Sequence, residues 1–148
     1  MNAKLKAGWR ALAVAGLASV SIPALAAAVS MPAEQFQGSV GYIAGGIGQR
    51  EARLFEQQMP QHALAIELLE HAGRKEEFTA DANVRITDMH GRTVLNTKAG
   101  GPFMLVDLPS GCYSIVATLN HDTLKKSSVW VARGKLARAT FEFPAHTG

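Results

Sequence analysis

The feature that most constrains this chain is a change of period. From residue 62 onward, apolar side chains recur at every second position in short runs, and each run stops at a polar or glycine turn. In "HALAIELLEHA" Leu64, Ile66 and Leu68 share one side. In "ANVRITD" Val84 and Ile86 alternate with Arg85 and Thr87, ahead of a turn at Gly91 and the run "TVLNT". "GCYSIVATLN" sets Tyr113, Ile115, Ala117 and Leu119 against Cys112, Ser114, Val116 and Thr118. "SSVWVARG" sets Val129 and Val131 against Trp130, and "ARATFEF" aligns Ala137, Ala139, Phe141 and Phe143. Successive side chains of a strand point to opposite faces, so each run buries one face as a strand and none as a helix. About seven such strands, with turns roughly every 8–12 residues, predict an all-β fold, an antiparallel β-sandwich.

Residues ahead of 62 follow another pattern. "QREARLFEQQM" (49–59) contains good helix formers, lacks Gly and Pro, and is stopped by Pro60. Ala52, Phe55 and Met59 fall on one side of it, which predicts a single helix packed outside the sandwich. Residues 29–48 are mostly small and polar and read as a loosely ordered lead-in, and "GRKEEF" (73–78) as a solvated loop. The expected organisation is therefore an N-terminal segment over 29–61 and a sandwich domain over 62–148.

The first 28 residues read as a secretory signal peptide. Lys4, Lys6 and Arg10 precede an apolar stretch, Ala11 to Ala28, that closes in Pro-Ala-Leu-Ala-Ala-Ala. Pro23 and the small-residue end favour cleavage, before Val29, over a membrane anchor. Export to the periplasm is the expectation. Cleavage also changes the charge: the 15 basic residues become 12, equal to the 12 acidic ones. A basic balance would point to nucleic acid, and the mature chain has none. No later apolar run approaches membrane-spanning length, so no span is expected after cleavage. Cys112 is the only cysteine, which excludes an intramolecular disulfide.

"DANVRITDMHG" (81–91), "GGPFMLVDLPSGCYSI" (100–115) and "RATFEF" together resemble the carboxypeptidase regulatory-like domains. Leu108, Pro109, Gly111 and Tyr113 match that family's Leu-Pro-x-Gly-x-Tyr element. The resemblance spans roughly residues 62–143 and implies a transthyretin-like sandwich. It also implies a non-catalytic companion or binding module, with no catalytic residue to carry over.

The attractive chemistries each lack a component. Gly46-Ile47-Gly48 begins a dinucleotide-like fingerprint, but Glu51 stands where a third small residue is needed, and its carboxylate would repel a pyrophosphate. The glycines read as backbone punctuation, with Glu51 favourable at a helix N-terminus. Cys112 opens a strand, away from Tyr113, so it reads first as a small outer-face residue, with an intermolecular or mixed disulfide as the next reading and catalysis after that. His62, His71, His90, His121 and His146 show no metal-ligand spacing. Only turns brought to one end of a sandwich, such as those of His90 and His121, would gather them. No cofactor or metal is expected. Asp81, Asp88 and Asp107 sit beside turns, where they serve Asx hydrogen bonds.

Trp130 is the most informative single residue, because flanking Val129 and Val131 turn it outward unless the N-terminal segment covers it. Lys125, Lys126, Arg133, Lys135 and Arg138 form a basic tract near it. Together these predict a non-enzymatic accessory module whose partner contact comprises Trp130, Lys125, Lys126 and Arg138. Two other readings remain open. A carbohydrate-binding sandwich would use Trp130, Tyr42 and Phe78 as stacking aromatics, and a small exported enzyme would use Cys112 or a histidine cluster.

Overall fold

The computed structural model describes residues 27–72, 74–79 and 81–145, with Gly16 and Pro23 besides. His146 and the rest of the predicted signal peptide lie outside the described residues. The elements are β1 (Gln35–Gln37), β2 (Val40–Gly45), α1 (Gln49–Gln58), a 3-10 turn (Met59–Gln61), β3 (Leu64–Ala72) and β4 (Lys75–Phe78). Then come β5 (Asn83–Asp88), β6 (Thr93–Lys98), β7 (Phe103–Asp107), β8 (Gly111–Leu119), β9 (Asp122–Val131) and β10 (Ala137–Phe143). The first sheet runs β1-β2-β7-β3-β10, with β4 folded back on the end of β3; the second runs β6-β5-β8-β9.

The period-two runs place their apolar sides as alternation requires. Leu64, Ile66, Leu68, Phe141 and Phe143 of the first sheet form one buried cluster with Val84, Ile86, Ile115 and Ala117 of the second. The two sheets thus meet face to face across a shared core. The first sheet is also covered from outside. Phe55 and Met59 of the helical segment pack on Ala65, Phe103 and Leu105 in a second cluster, joined by Met31 from the lead-in. The Phe55 and Phe103 rings stack at 5.9 Å. Burial on both faces explains why "FMLV" in β7 is a continuous apolar run rather than an alternating one.

The fold departs from the sequence pattern in three places. The described residues hold ten strands rather than about seven, because "VGYIAG" forms β2, hydrogen-bonded between β1 and β7. The lead-in is part of the first sheet, not a loose approach to it. "KEEF" likewise forms β4, a hairpin on β3. Finally, the pairing is not wholly antiparallel: β10 lies parallel to β3. The Ala137 amide donates to the Ala63 carbonyl at 3.0 Å, so β10 starts where β3 starts and runs with it.

The two lateral sides of the sandwich differ. On the β1/β6 side, the Gln37 side chain acts as a substitute strand: its Nε2 donates to the Asn96 carbonyl (3.1 Å) and its Oε1 accepts from the Asn96 amide (2.6 Å). On the β9/β10 side the edges belong to different sheets, and Lys126 Nζ stands 5.8 Å from the Phe141 ring centroid.

Candidate functional site

The outer face of the second sheet is built by register. Trp130 stands opposite Cys112, Lys125 opposite Val116, and Thr123 opposite Thr118. Val116 in turn faces Arg85, and Arg85 faces Asn96. The strands carry these residues outward because their sequence neighbours, Tyr113, Ile115 and Ala117 among them, fill the core. The result is a polar face with two exposed cations, Arg85 and Lys125, and none of these register positions is acidic. Trp130 lies at one end of it and is 70% exposed. Among the described residues nothing covers Trp130; the N-terminal segment packs instead on the first sheet, through Met31.

The expected contact set is only partly brought together. Lys125 shares the face of Trp130. Lys126 does not, because a register shift occurs between Tyr113 and Ile115, where Ser128 adopts φ 59°. The extra residue reverses the alternation and sends Lys126 to the inner side, over Phe141. Arg138 alternates with buried Ala139 on the first sheet and so points to the opposite outer face. Arg133 and Lys135 sit in the turn between β9 and β10. Arg85, which the sequence reading left aside, takes their place beside Lys125. It was detectable, since it occupies the outward phase between Val84 and Ile86.

The other candidates are dispersed. Cys112 is half-buried and faces Trp130, with no histidine at the register positions of that face. His90 follows β5 and His121 follows β8. Because Asp88 pairs with Tyr113 and Asn83 with Thr118, those two turns lie at opposite ends of the sheet. His71 approaches Glu142 at 3.8 Å. His62 Nδ1 meets Asp107 Oδ2 at 3.0 Å, so Asp107 holds a histidine as well as the Ala63 amide. Among the described residues no group of three or more His, Cys, Asp or Glu side chains is placed to hold a metal ion. The three aromatics suggested for sugar stacking do not align. Tyr42 is buried, with its hydroxyl donating to Gln35 Oε1, and Phe78 leans on Phe103 at the outer side of the first sheet.

The glycine stretch has a structural task. Gly46 and Gly48 adopt φ 93° and 84°, which non-glycine residues avoid. A Cβ on Gly46 would strike the Phe103 ring. The Gly46 amide donates to Glu51 Oε1 at 2.8 Å, so the protein's own carboxylate occupies the position an anion would take at the start of α1.

No helix among the described residues is long and apolar enough to cross a membrane. No protein-family model, curated protein or solved structure matches this chain.

Proposed function

We propose that the chain is an exported, non-enzymatic binding module on a transthyretin-like sandwich, and that the Trp130 end of the second sheet's outer face docks a protein partner. One observation carries this reading: an indole left largely in solvent on a face that also presents the exposed cations Arg85 and Lys125. Tryptophan and arginine supply much of the binding energy at protein interfaces, since both combine a large apolar surface with a hydrogen-bonding group. Arg85 and Lys125 suit a partner whose rim is acidic, and would speed encounter more than they tighten the complex.

Native mass spectrometry of the protein taken from its own compartment tests the proposal, with Trp130→Ala alongside. A second polypeptide's mass on the wild type, absent from the variant, is the expected result. A bare monomer in both, or a complex that survives the substitution, overturns it. A sugar-sized addition would move the function to carbohydrate binding.

A further inference from the structure

A pocket of about 560 Å³ opens at one end of the sandwich, where the segment before β3, the β7–β8 turn and the β9–β10 turn converge. Its lining residues include the cations Arg133 and Lys135 and the imidazole of His62, and no carboxylate is among them. Leu108, Pro109 and Val131 supply an apolar wall. The volume is in the range of small-molecule sites, which combine apolar walls with a few convergent polar groups.

The backbone that carries the cations and the His62 ring are held in place. Lys135 N–H donates to the Ala132 carbonyl at 3.2 Å and Gly134 adopts φ 75°, so the turn carrying Arg133 and Lys135 is closed by its own backbone. His62 is fixed by Asp107, which also accepts from the Ala63 amide. An ionised carboxylate only accepts, so Nδ1 carries the hydrogen. In the neutral ring Nε2 is then a lone-pair acceptor, and it is the nitrogen left to meet a ligand. Two cations carried on a closed turn and one fixed acceptor define a specific complement.

We propose that this pocket binds a carboxylate that has an N–H or O–H donor on the adjacent carbon and an apolar side chain. The carboxylate meets Arg133 and Lys135, the donor meets His62 Nε2, and the side chain lies on Leu108, Pro109 and Val131. A free N-acyl amino acid or 2-hydroxy acid has this chemistry, and so does the C-terminal residue of a peptide. The site is distinct from the Trp130 face and does not depend on a partner binding there.

Amide chemical-shift titration of the full protein tests it with four probes. N-acetyl-leucine is expected to shift the amides of Ala63, Ser110 and Gly134 saturably in the millimolar range or below. N-acetyl-leucinamide, which lacks the charge, is expected to bind about tenfold more weakly or worse. 4-Methylpentanoate, which lacks the donor, is expected to bind severalfold more weakly than N-acetyl-leucine. In His62→Gln that difference between the two acids is expected to shrink. A short peptide ending in leucine distinguishes the sources: tighter binding than N-acetyl-leucine assigns the pocket to a chain end, and equal binding to a free acid.

Arg133→Ala and Lys135→Ala change exposed turn residues, so both variants are expected to fold and to weaken the acid about tenfold each. Equal binding of acid and amide, saturable shifts confined to other residues, or no saturable shift at all would overturn the proposal. So would unchanged affinity in both turn variants.

Discussion

Tyr113 ties the start of β8 to the turn before it. Its hydroxyl donates to the Pro109 carbonyl at 2.7 Å while the ring lies in the core, the arrangement of a tyrosine corner. Burial first, and the charge of Asp88 second, raise its pKa above the ordinary value of 10.0. The fold therefore favours the protonated phenol, and that contribution is present below pH 10.0 and lost as pH rises through the folded value. Tyr113→Phe is expected to cost about 1 kcal/mol at neutral pH, with the gap to wild type closing at alkaline pH. Urea unfolding at several pH values measures both. Asp88 behaves oppositely. Burial raises its pKa, but hydrogen bonds from the Arg92 and His90 amides and the Arg92 side chain outweigh that and leave it lowered from 3.8. Its contribution is present above pH 3.8 and lost as pH falls through the folded value. Asp88→Asn is thus expected to lower the neutral urea midpoint and flatten its acid decline. At this scale the site was half legible. Trp130 between two valines announces its direction, whereas Lys125 and Lys126 exchange faces through a bulge that no residue before Ser128 signals.

The helix α1 is held by tertiary packing more than by its ends. Phe55 is fully buried and stacks on Phe103, while Gly48 at the N-cap offers no side-chain hydrogen bond. Phe55→Ala is expected to destabilise the protein by about 3–5 kcal/mol, because it opens a cavity over the first sheet. A urea melt reads the loss, and hydrogen exchange is expected to show α1 and β7 opening together. Elements with a polar outer face were readable from sequence: β5, β8 and β10 alternate because one side meets the core and the other water. β2 was not. Val40 and Tyr42 do point inward, but between and beyond them Gly41, Ile43 and Gly45 replace the polar phase, because that side lies under Glu34, Pro32 and Phe55. The "FMLV" run carried the same message more strongly, since a strand apolar on both sides requires two covering layers. The parallel pairing of β10 with β3 has no local signal, as it depends on where a strand some seventy residues away begins.

Over the whole molecule, the described core explains why the face of Trp130 is free to vary. Substitutions on a solvated surface usually change stability by less than about 0.5 kcal/mol. Trp130→Ala is therefore expected to leave the urea midpoint unchanged, which would separate loss of binding from loss of fold. The end pocket lies around the corner from the same residue, because Val131 lines the pocket while Trp130 turns outward. One consequence concerns light. The chain has two tryptophans, and cleavage of the proposed signal peptide would remove Trp9. The indole emission of that cleaved protein would come from Trp130 alone, red-shifted by water and within reach of quenching by the Cys112 thiol across the strand pair. Docking on that face is expected to shift the emission and alkylation of the thiol to brighten it, which would give the protein its own fluorescent reporter at the proposed contact.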